Sequence, residues 1–494
     1  MDQNEFRRLA STFNVIPLTR TLLADLQTPV SAYLSLRQDS RSSFLFESVE
    51  PNERVGRFSF IGVDPVILIR GQGPMCEVVE QGATSLARGT VFDVLASYTS
   101  RYKQAPLDGF EGLIGGFVGY LGYDTVRHLE RLPGIVPAEG RETESIFGLF
   151  DDIVRFDHFG QSLTIVHNVF VDPGRDPGTQ YDEGVSRLET IELKLRRPAV
   201  AASKLSLVNS ISDATPKEAY CEAVARAKHY IVEGDIFQVV LSRRLDAHFT
   251  GDLFPVYRAL RVINPSPYLF YLEFGNTVLV GSSPEVLVRV HRGEAEVLPI
   301  AGTRPRGRNE EEDLALEREL LHDEKELAEH IMLVDLGRND VGRIADFGSV
   351  SVPVLKRIER YSHVMHIVSE VKGRLRTGIS TLDALKACFP AGTVSGAPKV
   401  RAMEIIAELE PFPRGAYAGA VGYLGLNGEL DTCIAIRTIV AHDDSLSIQV
   451  GAGIVADSVP EREYEETVNK SRAMLAALRR AAEGLHMAPV NDQG

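Results

Sequence analysis

Tryptophan is absent from this chain of 494 residues, and cysteine is scarce, with four in all. Cys76, Cys221, Cys388 and Cys433 form no close pair and no metal-ligand spacing. That excludes a disulfide framework and a thiolate metal centre, and predicts the reduced thiols of a cytoplasmic protein. Positive charge is in deficit: 53 Lys and Arg stand against 68 Asp and Glu, a net charge of −15. Such a balance points to no nucleic acid and no anionic membrane surface as partner. Long apolar runs are missing too. No stretch approaches a membrane span. Met1 to Leu18 mixes charge with isolated apolar residues and lacks the apolar centre of a secretory signal. A small anion remains admissible as ligand, if a metal, arginines or backbone N–H groups build a local positive site.

The remaining composition, 44% hydrophobic and 24% charged, suits a large buried core with two or more structural parts. Up to about residue 195, strand-like runs such as Pro65–Arg70 and Leu163–His167 are separated by glycine turns. Glycines 112, 115, 116, 119 and 122 predict closely packed sheet backbone. Residues 196–214 are rich in Ala and Ser and read as a linker or an edge connection. Thr215-Pro216-Lys217-Glu218 predicts a capping box opening a helix to Glu233, stopped by Gly234. Ile236 to Leu245 alternates as a strand, with Phe237, Val239 and Leu241 on one face. Strands and helices mix without regular βα alternation, so the fold class is α+β, built on antiparallel sheets. The expected parts are 1–195, the linker 196–214, 215–480 and a tail 481–494.

Two pairs of glutamates stand out, Glu326 with Glu329 and Glu463 with Glu466, each in a stretch that reads as helix. Residues three apart share a helix face. Two helices that each present such a pair can hold one hard cation between them. Mg²⁺ normally takes one or two protein carboxylates and keeps several waters. Two of the four would ligate, and two would hold metal-bound waters. In isolation each pair is an ordinary solvated helix face. The motifs around them decide otherwise.

Pro299-Ile300-Ala301-Gly302-Thr303, Lys325 to His330, Asp335-Leu336-Gly337-Arg338-Asn339-Asp340, Gly392 to Lys399 and Gly451 to Val455 occur in that order. Together they resemble the signatures of the chorismate-utilising enzymes. With Phe44-Leu45-Phe46-Glu47-Ser48 near the N-terminus, the whole chain is similar to the anthranilate synthase component I family. The resemblance implies that family's fold, antiparallel sheets packed as a sandwich with outer helices. It implies an Mg²⁺-dependent lyase in which ammonia adds to C2 of chorismate, the C4 hydroxyl leaves, and pyruvate is eliminated to give anthranilate for tryptophan biosynthesis.

By the same resemblance Glu329 and Glu466 are the metal ligands, and Glu326 and Glu463 hold its waters. Arg437 and Lys470 bind substrate carboxylates, and Gly451, Ala452 and Gly453 offer consecutive N–H groups as an anion nest. Gly302, Thr303 and Tyr417 contact the substrate, although Tyr417 is also readable as a core tyrosine. Glu285 is the general acid for the C4 hydroxyl, which requires a pKa raised by burial. His366 matches the histidine of pyruvate elimination, with a buried structural histidine as its rival.

Two positions discriminate among relatives. Aminodeoxychorismate synthases usually have a nucleophilic lysine at the position of Ala301, and water-adding relatives a lysine base at that of Gln238. Alanine forms no covalent adduct, and glutamine takes no proton. Aminodeoxychorismate synthase component I is the enzymatic alternative. Glu319-Leu320-Leu321-His322 supplies one Glu-x-x-His of a di-iron bundle, without a convincing second. No Gly-x-Cys-x-Gly elbow surrounds any cysteine. A separate glutaminase subunit, or free ammonia, is therefore the expected nitrogen source; the resemblance implies a glutamine amidotransferase subunit, in a heterotetramer. Ser48 and the loop Pro267-Tyr268-Leu269 resemble the family's tryptophan feedback pocket. Leu269 replaces a more usual methionine at similar volume.

Overall fold

The strand-like runs of the first 195 residues do become strands, but they form no sheet of their own. The computed structural model describes residues 1–48, 56–132, 143–200, 203–360 and 364–485. Among these, two antiparallel sheets of 13 and 12 strands account for the β-structure. In the first, Ser42–Glu47 pairs with Tyr268–Phe274, Glu47 opposite Leu269. In the second, Gly116–Leu121 pairs with Ala420–Gly425. Each sheet is thus stitched from both ends of the chain. Glycines 116 and 119 are needed for Gly116–Leu121 to pair on both sides, with Ala420–Gly425 and with Ser145–Phe150. A Cβ on Gly119 would lie 1.9 Å from the Ile146 carbonyl oxygen, and one on Gly116, at φ +155°, 2.3 Å from that of Leu424.

The sheets face each other. One apolar cluster draws Phe44, Ile153, Phe270 and Leu279 from the first sheet and Val118, Phe150, Val421 and Tyr423 from the second. The outer face of the first sheet packs on helices that include Pro177–Leu195, Phe254–Ile263 and Pro460–Glu483. That of the second packs on Val91–Thr99, Glu324–Gly342 and Thr381–Cys388. The result is the expected sandwich with outer helices. Residues 206–207 and 212–213 of the Ala/Ser-rich stretch pair with Gln238–Thr250, so that part is an edge connection.

Two local expectations are corrected. The helix after Thr215 runs Lys217–Glu233 and ends on left-handed Gly234 as expected, but it has no side-chain cap. The Thr215 hydroxyl instead accepts the Arg244 N–H at 3.3 Å, an option that the neighbouring strand provides. Phe237 is 73% exposed and not on the buried face of Val239 and Leu241, because Gln238–Thr250 begins only after it. Glu319 pairs with Arg304, and His322 Nδ1 lies 2.6 Å from the Arg318 carbonyl oxygen. The helix Pro460–Glu483 extends into the expected tail, of which 486–494 lie outside the described residues.

Candidate active site

The site lies where the chain crosses between sheets. Thr277–Ser283 belongs to the first sheet and Val286–His291 to the second, and Glu285 sits in the crossing. Leu430–Ile434 and Thr438–His442 make the return crossing, which holds Arg437 in the left-handed region at φ +49°. The two crossings are tied together by Ile434 N–H to the Glu285 carbonyl at 3.0 Å and Ser282 N–H to the Arg437 carbonyl at 3.2 Å.

Glu285 and Arg437 depart from their ordinary titration in ways that suit a buried anion site. Burial pushes the Glu285 carboxyl up to about 7, opposed by the Thr393 hydroxyl and by the charges of Lys470 and Arg437. The Thr393 Oγ1 is buried and has no partner at ordinary hydrogen-bond geometry. Burial lowers the Arg437 guanidinium, and Glu285 acts against that. Among the described residues no carboxylate lies within 4.0 Å of the Arg437 guanidinium. A desolvated cation without a partner is costly unless a ligand supplies one.

His366, on the strand Val364–Arg374, faces Ile300–Pro305. Its Nδ1 lies 3.0 Å from the Gly302 carbonyl and 3.1 Å from the Thr303 hydroxyl. Donation to the carbonyl fixes the tautomer and leaves Nε2 as the accepting nitrogen. Burial, against the Gly302 hydrogen bond, lowers its pKa and so favours the neutral ring. Gly302 is at φ +70°, and a Cβ there would approach Leu320 at 3.0 Å and Glu326 Oε2 at 3.3 Å.

The four glutamates converge from two helices. Glu326 and Glu329 lie on Glu324–Gly342, capped by Asp323, and Glu463 and Glu466 lie on Pro460–Glu483. Burial raises Glu329, and the charges of Glu326 and Glu466 raise it further. Burial also raises Glu463, again with Glu466 contributing. Like charges gathered on hard oxygen donors fit a divalent cation such as Mg²⁺. Their oxygens are not drawn into one tight cluster. Among the described residues, three ligand atoms mutually within 4.8 Å occur only at Asp151, Asp152 and His167, where Arg187 already pairs with Asp152 at 2.6 Å. Glu466 is held by Lys470 at 2.6 Å, and Glu326 by Arg304 at 3.3 Å.

Gln238 connects this quartet to the strand Ser445–Ile454: its Nε2 donates to Glu329 Oε1 at 3.4 Å. A Cβ on Gly453 would lie 2.7 Å from that Nε2, and one on Gly451 2.6 Å from the Tyr417 hydroxyl. Both glycines are there to let side chains approach the backbone. Lys470 donates to the Gly451 carbonyl at 3.0 Å. The expected nest of consecutive N–H groups at Gly451–Gly453 is not formed. These residues are extended and paired with Ser242, Leu241 and Val240, so alternate amides point to opposite sides. Tyr417 is a buried ring against Arg414, as a core tyrosine would be, with its hydroxyl beside Gly451.

The sequence-based assignment passed over Thr393 at Glu285 and Arg304 at Glu326. Both lie in or beside the quoted motifs, but motif matching gives no side-chain direction. Ser48, Pro267, Tyr268 and Leu269 line a second cavity, of about 470 Å³, with Arg289 and Asp431. There the Tyr268 hydroxyl donates to Asp431 at 2.6 Å, and the Ser48 hydroxyl is buried without a partner among the described residues.

Residues 41–476 match the family model described as chorismate binding enzyme. The chain belongs to that family. It is 46% identical to anthranilate synthase component 1 of Acetivibrio thermocellus over 489 residues, covering 97% of this chain and 98% of the relative. Identity to the same component of Pseudomonas aeruginosa is also 46%, over 98% and 100%. Among solved structures, anthranilate synthase component I from Streptococcus pneumoniae superposes with a TM-score of 0.71 at 35% identity, over 92% of this chain and 98% of that one. A menaquinone-specific isochorismate synthase from Escherichia coli gives 0.70 at 20%, over 96% and 98%, and so shares the fold.

Proposed function

We propose that the chain is the large subunit of an anthranilate synthase, converting chorismate and ammonia to anthranilate, pyruvate and water. The observation that carries this is the desolvated Arg437, without a carboxylate partner among the described residues, near a Glu285 carboxyl pushed up to about 7. One is built to receive a carboxylate, and the other to deliver a proton at neutral pH. Ala301, buried in the strand paired with Ile367, offers no nucleophile to the ring, which disfavours the aminodeoxychorismate reaction. Gln238, bonded to Glu329, offers no base to activate water, which favours ammonia as nucleophile.

In this reading Arg437 and Lys470 hold the substrate's carboxylates, and Tyr417, Gly302 and Thr303 with the 451–453 backbone fix the ring. Glu329 and Glu466 would hold Mg²⁺, with Glu326 and Glu463 on its waters; when bound, the ion neutralises a substrate carboxylate and polarises it. As the C2–N bond forms, Glu285 gives its proton to the departing C4 oxygen, which leaves as water. The neutral His366 then accepts the C2 proton as pyruvate departs. The second cavity takes tryptophan as inhibitor, a role supported by Ser48 and the 267–269 loop lining one space. Ammonia comes from a glutamine amidotransferase subunit.

The test is to supply the purified chain with chorismate, Mg²⁺ and ammonium at alkaline pH and follow anthranilate fluorescence. Anthranilate should form, and glutamine should not replace ammonium. A non-fluorescent amino product would establish the aminodeoxychorismate alternative instead. Glutamine-dependent activity from the chain alone would refute the need for a partner.

A further inference from the structure

Two motifs of the sequence have no part in binding substrate or metal, and the fold brings them together. Asp340 closes Asp335–Asp340, Lys399 closes Gly392–Lys399, and the Lys399 Nζ lies 2.9 Å from Asp340 Oδ2. The pair is buried, its side chains 14% and 9% exposed. Burial raises the Asp340 carboxyl, and Lys399 and Arg343 oppose it. Asp340 lines a small cavity of about 50 Å³, and Glu285 and Thr393 line the same cavity. Of the residues assigned to catalysis, substrate or metal only Glu285 borders it. Much of the remaining wall is apolar and includes Val297 and Leu336.

A water needs roughly 10–15 Å³ and two or more polar partners, so this cavity has room for a few. The Thr393 hydroxyl and the carboxyls of Glu285 and Asp340 supply partners. The proposed reaction makes such a connection useful. Each turnover leaves Glu285 as a carboxylate, because its proton departs in the water formed from the C4 hydroxyl. The attacking nitrogen releases one proton to solvent, so none is gained or lost overall. Glu285 must still be reloaded before the next substrate.

We propose that water in this cavity returns a proton to Glu285 from the Asp340–Lys399 pair. Each water accepts one proton and passes one on, and the pair recovers its proton from solvent. This rests on Glu285 being the general acid. Asp340 acts through Glu285 and touches no substrate.

The experiment compares first and later turnovers by rapid mixing, with saturating ammonium and Mg²⁺. In Asp340→Asn the first turnover, run on a preloaded Glu285, should stay within about twofold of the parent rate. Steady-state turnover should fall tenfold or more, giving a burst of one anthranilate per site. Val297→Ile, which narrows the cavity and alters no charge, should reproduce the burst and decides the matter if Asp340→Asn does not fold. Absence of a burst in Val297→Ile and in folded Asp340→Asn overturns the relay and leaves the acid assignment standing. Equal loss of first and later turnovers in those variants marks a structural role, and also overturns it. Glu285→Gln should slow the first turnover itself. A normal first turnover there removes both the acid and the relay.

Discussion

Replacing Arg437 with methionine should separate stability from function in opposite directions. The guanidinium is desolvated, lies beside a carboxyl that is largely neutral below pH 7, and has no carboxylate partner among the described residues. In the substrate-free protein it is a cost. Methionine keeps the length of the stem and removes the charge. The free protein should gain on the order of 1 kcal/mol, the usual size of a stabilising substitution at a functional site. Catalysis loses a buried charge-assisted contact of about 3 kcal/mol, or about 150-fold in kcat/KM. A third readout follows from Glu285. Arg437 holds its carboxyl down, so without the arginine the carboxyl should titrate above its present value of about 7. Activity that depends on the protonated acid should then decline at higher pH than in the parent. Urea unfolding and a pH profile of kcat/KM at constant free ammonia measure all three. A variant that is less stable yet fully active would show that Arg437 is a structural ion and refute the reasoning.

Three other outcomes are expected. Glu329→Gln or Glu466→Gln should abolish Mg²⁺-dependent turnover with the fold intact by circular dichroism, since each removes one ligand charge from a cluster of like charges. Ser48→Phe should fill the second cavity and relieve inhibition by tryptophan while sparing the parent rate. In the parent, tryptophan and chorismate should weaken each other's binding by one common factor, typically about 5–150-fold; retained sensitivity in Ser48→Phe would dismiss the pocket. Stability should fall as pH rises from about 4.5 to about 7, because the folded state prefers Glu285 protonated and the unfolded state does not. Glu285→Gln should flatten that part of the urea-stability profile.

The chemistry-bearing motifs were legible because each confines a reactive side chain to a few neighbouring positions. Glu326 and Glu329 share a face by helix geometry alone, and Gly119 announces a close strand contact by lacking a side chain. What the sequence could not give depends on distant partners. Thr215 looked like a helix cap until Arg244 offered its N–H. Gly451–Gly453 looked like a nest until Val240–Ser242 drew them into a ladder. The pairing of Asp340 with Lys399, two motifs that read as separate, is another contact of this kind. Small polar groups choose among local and remote bonds of similar worth, and only the fold decides.

The stitching of both sheets from the two ends of the chain has a consequence for synthesis. Ser42–Glu47 finds its neighbour Tyr268–Phe274 about 220 positions later, and Gly116–Leu121 waits still longer for Ala420–Gly425. At about 5–20 residues per second, the first of these edges leaves the ribosome some 10–45 s before its partner exists. The N-terminal half meanwhile presents unpaired, apolar strand edges to its surroundings. Production of this chain should therefore depend on chaperone capacity, and fragments ending before residue 268 should aggregate. The same stitching forbids exchanging the N-terminal half between relatives as a cassette, because a cut between the halves severs both sheets.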